Sequence, residues 1–331
     1  MNKLFLNLIG IALITIILTG CDGPITRSKS YLCMTDSDSI SVVKMFRVSY
    51  YQNDDYMFVN NYIVTPDEEN IIVNCGSNGI WRVDKNGDDE TLLSDTLWVR
   101  STELSLSDDR SVIAFVARGD IYRVKVDGSD LTKLTDTAND YEDYPCFYGV
   151  DNQILFTSIN NINEIQQYHT VSTMNFDGTE RENLIMENSR AAVRFSYPAY
   201  LPQGDKVVYL LHGDDSGVDC LNKSDGSLTR FLNGDMRDNR ISLSDDGSRF
   251  AVTSLASSIV FSSTGDIIHQ DSYGYSNQNT VISPSGNKVV LSDDTDSTIL
   301  NLDTDIERRI SGTQPFWVGN NIYYISRFYN Y

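Results

Sequence analysis

The sequence predicts an all-β chain folded as a seven-bladed β-propeller of four-stranded antiparallel blades. Three observations carry that expectation. A unit recurs along the chain with a period near 40 residues. Each unit reads as four short apolar runs broken by turn-forming residues. Half-units at the two ends of the chain complement one another.

The clearest unit is SLSDDRSVIAFVARGDIYRVKVDGSDLTKLT, which starts at Ser105. Residues 104–106 alternate in polarity, and Asp108-Asp109-Arg110-Ser111 ends that run. Residues 112–116 are continuously apolar, and Arg118-Gly119-Asp120 breaks them. Residues 121–126 alternate, Asp127-Gly128 turns, and residues 131–134 close the unit. Runs of about five residues joined in this way are an antiparallel meander. Gly accepts the positive φ of a tight turn, and Asp tolerates it. One meander cannot cover both faces of its own sheet, so the units must stack.

Corresponding points fall at Thr65, Ser105, Phe147, Tyr200, Ser242 and Val281, spaced 40, 42, 53, 42 and 39 residues apart. Turn signals recur at Asn86-Gly87, Asp177-Gly178 and Asp225-Gly226. After Ile310 the chain offers TQPFWVGNNIYYIS, which reads as strands one and two of a unit. Near the start, YLCMTDSDSISVVKMF from Tyr31 reads as strands three and four. Together they complete a seventh blade, which removes a free edge and ties down both ends. The alternative is six blades with decorated ends. Residues 48–61 fit the repeat poorly and read as a long loop.

The first twenty residues stand apart. Lys3 precedes an apolar run over residues 4–18, followed by Leu18-Thr19-Gly20-Cys21. The run is shorter than the roughly 20 apolar residues a spanning helix needs. An ordinary secretory signal or a single anchor is the alternative reading. The Leu-Thr-Gly-Cys stretch resembles a bacterial lipoprotein signal peptide. That resemblance implies a leader over 1–20, a diacylglycerol on Cys21, a tether over 21–30 and a propeller over 31–331. Asp22 resembles the signal that retains a lipoprotein in the inner membrane of enterobacteria-like cells. The implied place is the periplasmic face of that membrane.

The formal net charge is −20, and losing Lys3 with the leader deepens it by one unit. Nucleic acid and anionic lipid surfaces would repel such a chain, which leaves the lipid on Cys21 as the expected membrane link. Cys33, Cys75, Cys146 and Cys220 remain after Cys21. An oxidising compartment permits bridges, four cysteines allow three pairings, and buried thiols are equally open. They show no metal-ligand spacing, and no cofactor is expected.

The repeat is similar to that of the TolB family of propellers. The resemblance is carried by SLSDDRSVIAFVARGDIYRVKVDGSDLTKLT, SLSDDGSRFAV and SPSGNKVVL, with Tyr144-Pro145 and Tyr197-Pro198 resembling the start of a first strand. It spans nearly all of residues 31–331. Such repeats serve periplasmic scaffolds, sugar lyases and peptidase gating domains, so the resemblance implies a fold and no single activity. The roughly 40 residues before the first full unit are fewer than the about 50 a domain needs. The chain is therefore expected to lack the additional α/β domain of TolB itself.

Chemistry-bearing motifs are sparse. No GxSxG elbow occurs. His169, His212 and His269 fall in different units, and Gln166-Gln167-Tyr168-His169 is the one local cluster of metal-capable type. Acidic doublets at 54–55, 108–109, 214–215, 245–246 and 293–294 could be read as acid/base pairs or calcium ligands. Two of them, Asp108-Asp109 and Asp245-Asp246, recur at one place in the repeat, which is what a turn requirement predicts.

Connections after second strands and between blades must share one rim, and irregular segments concentrate there: residues 141–144, 158–169, 187–197, 213–217, 236–240 and 272–276. They carry Tyr141, Tyr144, Tyr168, His169, Arg190, Arg194, Tyr197, Arg237, Arg240, Tyr273 and Tyr275. Tyr and Arg anchor interfaces, although Tyr also simply covers strand ends. The expected function is binding of a protein or peptide partner in the cell envelope through this rim. The alternatives are a glycan-active lyase or hydrolase, or a glycan-binding module, at the channel mouth.

Overall fold

The computed structural model describes residues 29–328 except 37–41, 48–50, 53–54, 57–60, 66, 77–78, 85–89, 95–103, 108, 138–139, 150–152, 164–165, 189–193, 237–239, 256, 273–278 and 294–295. The compact unit that carries the sheets spans Ser30–Ser326. It is a β-propeller of seven four-stranded antiparallel blades. Blades 1 to 6 follow in order over 61–94, 105–133, 140–188, 194–233, 242–271 and 279–310. Blade 7 takes its inner strands, Thr313–Val318 and Asn321–Phe328, from the end of the chain. Its outer strands, Lys29–Asp36 and Val42–Arg47, come from the beginning. The ring therefore closes within one sheet, as the complementary half-units require. Within residues 48–61 the described part includes a short hairpin, Tyr51–Gln52 against Asp55–Tyr56.

Apolar patterning explains why the blades stack. The second strand of blade 2, Val112–Ala117, is buried at every position. Its side chains alternate between two interfaces, because successive residues of a strand point to opposite faces. Ile113, Phe115 and Ala117 join a cluster with Ile63, Ile72 and Ile80 of blade 1. Val112, Ala114 and Val116 join one with Phe147, Ile154 and Phe156 of blade 3. The described residues form seven such clusters, each drawn from two neighbouring blades. One of them joins Met34 and Tyr323 of blade 7 to Tyr62, Val64 and Ile71 of blade 1. Seven interfaces between seven sheets are the packing signature of a closed ring. At about 25 cal/mol per Å² of apolar surface, these interfaces dominate the stability.

Polar repeats fasten the same elements. Ser107 donates to Asp109 at 2.6 Å, and the Val112 amide donates to the Ser107 hydroxyl at 3.0 Å. Ser244 donates to Asp246 at 2.8 Å, and the Arg249 amide donates to Ser244 at 3.1 Å. Thr65 and Asp67 repeat the arrangement at 2.6 Å. The recurring second Asp of each doublet is thus a turn residue. Two residues earlier in the motif, Ser105 and Ser242 accept the amides of Phe147 and Ile282 in the next blade, each at 3.0 Å. The Ser-Leu-Ser motif therefore builds its own turn and grips its neighbour.

Closure has its own fastening. The buried Tyr323 hydroxyl of blade 7 donates to Glu68 Oε2 of blade 1 at 2.6 Å, and the Asn321 amide donates to Glu68 Oε1 at 3.0 Å. Cys75 and Cys220 are buried free thiols, and burial pushes their pKa values up to about 12 and about 11. The half-buried Cys146 donates to the Phe147 carbonyl at 3.4 Å. Cys33 lies on strand Lys29–Asp36 opposite Met45.

Loss of the closing hydrogen bond makes a direct test. Tyr323→Phe leaves the Glu68 carboxylate one donor short and should destabilise the fold by about 1–2 kcal/mol, read as a lower denaturant midpoint. The turn carboxylates set a second expectation. Neighbouring hydroxyls hold Asp109, Asp127, Asp177 and Asp225 below their usual pKa, and the Ser248 amide does so for Asp246. A carboxyl held low stabilises the fold while ionised. That contribution is full above the unfolded value and is lost as pH falls through the folded one. The thermal midpoint should therefore drop below about pH 4. Replacing Asp109 and Asp246 together with Asn should flatten that drop in a melting series against pH.

Candidate functional site

The strand order separates the connections into two groups. First and third strands end in the tight turns of one face. Connections after second strands and between blades lie on the other, the loop-rich rim. The longest strands rise toward that rim in blade 3, where Gln153–Asn163 and Gln166–Met174 run 11 and 9 residues. The matching strands of blade 2 have 6 each. This extension accounts for most of the excess of the 53-residue interval over its 42-residue neighbours.

It also corrects three sequence expectations. Residues 158–169 are largely a paired hairpin: Ser158 pairs with Thr170, Ile159 with His169 and Asn160 with Tyr168. Residues 141–144 belong to the first strand, Asp140–Tyr148, and Tyr197 to the next blade's first strand, Arg194–Leu201. Ser and Asn resemble a loop by composition, yet backbone pairing continues wherever a neighbouring strand is long enough to receive it.

At this end of blades 3 and 4 lies a cleft of about 220 Å³. Tyr141, Tyr144, His169 and Arg194, all anticipated, line it together with Asp143, Thr157, Ser158, Ile159 and Phe195. Tyr141 is 52% exposed, and Arg194 is exposed beside it on the rim. Tyr197 packs against Tyr144 with ring centroids 4.2 Å apart and the rings tilted by 45°. Tyr168 shares the strand of His169, and strand alternation turns it to the opposite face of the blade. Arg240 is exposed on the connection between blades 4 and 5. Cys21, Arg190, Arg237, Tyr273 and Tyr275 lie outside the described residues.

The Tyr-Pro pairs bring these two rings together. Tyr144 and Tyr197 hold φ of 53° and 47°, a left-handed conformation that is rare for an aromatic residue. The strand register slips at each, between Asp143 and Cys146 and between Ser196 and Ala199. A proline cannot donate to the ladder, so the strand bulges there and re-aims the preceding ring. Each left-handed residue costs on the order of 1–2 kcal/mol, and strain of this kind concentrates at functional sites. Gly119 completes the frame from blade 2. Its φ is +87°, and a Cβ there would stand 2.8 Å from the Tyr141 ring.

Electrostatics differ sharply within a few residues. Burial, and then the positive charge of Arg194, push the His169 pKa down, so its imidazole is neutral at neutral pH. Beside Arg194, the buried Ser196 hydroxyl and His212 Nε2 share a hydrogen bond of 2.7 Å. Behind the cleft, Glu142 is fully buried and receives Arg181 at 2.9 Å and the Thr137 hydroxyl at 2.9 Å. Burial raises the Glu142 pKa against the pull of these donors. Arg181 also donates to the cleft residue Ser158 at 3.1 Å and lies over the Phe156 ring at 5.1 Å. Hydroxyls of Ser158, Thr170 and Ser172 continue the chain at 2.7 and 2.8 Å. Sequence reading missed this seam, since Glu142 and Arg181 stand 39 residues apart with no motif between them.

The arrangement offers the exposed Arg194 cation, a packed pair of phenol rings, a neutral imidazole, hydroxyls and the Asp143 carboxylate. These groups suit recognition of an extended polar ligand. Among the described residues, no three His, Cys, Asp or Glu side chains gather as a metal site.

The sequence matches no protein-family model and no curated protein. Solved structures do share its architecture. An oligogalacturonate lyase in complex with manganese superposes with a TM-score of 0.60 at 12% identity, covering 91% of this chain and 98% of the other. A structure described as putative TolB from Agrobacterium tumefaciens gives 0.54 at 13% identity, over 91% and 99%. An oligogalacturonate lyase from Vibrio parahaemolyticus gives 0.50 at 10% identity, over 80% and 76%. At such identities the likeness establishes the propeller fold.

The ion pair of the buried Glu142 with the half-buried Arg181 yields a stability expectation. Arg181→Ala strands the Glu142 carboxylate in the interior and should cost about 2–4 kcal/mol. Adding Glu142→Ala to that variant should recover part of the loss. A double-mutant cycle in denaturant measures both.

Proposed function

We propose that this protein is a lipid-anchored propeller of the bacterial cell envelope that binds a protein or peptide partner through its loop-rich rim. The anchor is the diacylglycerol expected on Cys21, and Asp22 favours the periplasmic face of the inner membrane. One observation carries the binding role: two strained Tyr-Pro bulges in adjacent blades pack Tyr144 against Tyr197 beside the exposed Arg194. Rigid aromatic rings next to an Arg are the residue types that dominate binding energy at interfaces. No packing need of the blades requires this strain, since blades 2, 5 and 6 have no positive-φ residue in their first strands.

A glycan-active or glycan-binding propeller is the second reading. It is favoured by the fold shared with oligogalacturonate lyase and by a cleft that would present Arg194 and phenol rings to an anionic sugar.

Purification of the anchored protein from detergent-solubilised envelope tests the first reading. Tyr144→Ala and Arg194→Ala should each weaken capture of the recovered partner by about 30-fold or more, corresponding to about 2 kcal/mol, while the melting profile still shows a folded propeller. Unchanged capture would count against the rim. Formation of unsaturated sugar products from oligogalacturonate, with or without manganese, would favour the second reading.

A further inference from the structure

We propose, on the reading that Cys21 carries the lipid, that the loop-rich rim is the membrane-facing side of the propeller. The cleft of blades 3 and 4 then takes a segment of a partner anchored in the same bilayer. The juxtaposition behind this comes from strand direction. Lys29–Asp36 is the third strand of blade 7, and third strands start at the loop-rich rim. Asn321–Phe328 is the second strand of that blade, and second strands end there. Both ends of the folded chain therefore meet the rim that carries the cleft.

Chain length turns this into a constraint. Cys21 precedes Lys29 by eight residues. A fully extended segment of that length reaches at most about 29 Å. To bring the opposite turns to the bilayer, it would have to run back beside Lys29–Asp36, itself 8 residues long. At about 3.3 Å per residue that return consumes about 26 Å, nearly the whole reach. Facing the rim toward the bilayer needs no such return.

Charge acts in the same sense. The opposite turns present Asp67, Asp109, Asp127, Asp177, Asp225 and Asp246. An anionic leaflet repels such a face. The rim is mixed: Arg194 and Arg240 are exposed there, with Asp214 and Asp215. Phenol rings such as those of Tyr141 and Tyr144 suit the headgroup zone.

Photo-cross-linking of the lipidated full chain in phosphatidylethanolamine–phosphatidylglycerol vesicles tests the orientation. Asp214 on the rim and Ser224 on the opposite turn, both exposed and both in blade 4, are replaced in turn by p-benzoylphenylalanine. Lipid adducts are expected at 214 and none at 224. Equal labelling, the reverse pattern, or no adduct at either position (an edge-on molecule) overturns the proposal. A flexible insert of about twenty Gly/Ser residues after Ser28 should abolish the difference. A difference that survives the insert also overturns it. In whole cells the same group at Tyr141 should trap a protein that resists alkaline extraction from membranes, and the long insert should abolish the adduct. An adduct to a soluble protein overturns the assignment of the partner. Mass analysis of the N-terminal peptide separates the two readings: an unacylated Cys21 removes the anchor itself, whereas an acylated chain with the wrong labelling pattern removes only the orientation.

Discussion

Everything in this protein depends on the need of each four-stranded sheet to bury two apolar faces at once. A run such as Val112–Ala117, wholly buried and alternating between two interfaces, has no stable place in a single sheet. Each blade can satisfy it only with a neighbour on both sides. A linear stack would leave two greasy ends, and a ring leaves none. The cluster that joins Met34 and Tyr323 to Tyr62 and Ile71 is the final interface of that ring. It ties the two ends of the chain into the cooperative core.

Closure also divides the molecule into two surfaces with different freedoms. The tight turns must satisfy their own amides and hydroxyls within a few residues, so they converge on Ser-x-Asp and Asp-Gly solutions. Their acidity follows from that chemistry. The rim of longer connections is free of the requirement, and there blades 3 and 4 depart from the repeat. Blade 3 lengthens, both first strands bulge at Tyr-Pro, and a polar seam of Glu142, Arg181 and Ser158 lies behind the cleft. Departures from a repeat that needs none of them locally are where specific function is most economically placed.

The repeat and its turns were legible in the sequence because they are local. Apolar periodicity, Asp-Gly dipeptides and a constant spacing all survive in one dimension. Tyr141, Tyr144, His169 and Arg194 were found by composition, as Tyr and Arg in segments that break the period. Their setting was misjudged for the same reason: Ser158, Asn160 and Asn161 look like loop residues, and only the length of the partner strand shows that pairing continues through them. Asp143, Ser158 and the Glu142–Arg181 pair were not legible, because burial and the proximity of strands far apart in one blade leave no trace in neighbouring residues.

The sequence by itself determined the all-β class, the blade count, the split closing blade and the role of the recurring acidic turns, since each follows from a pattern that repeats along the chain. Only the tertiary structure decided which irregular residues meet. Tyr144 and Tyr197 lie 53 positions apart and become a packed aromatic pair because two bulges aim them across one interface. Arg181 becomes the partner of Glu142 because the first and fourth strands of one blade bring them together, with Glu142 fully buried and Arg181 half-buried. Convergence of this kind depends on the curvature and spacing of closed sheets, and those are properties of the ring rather than of any stretch of chain.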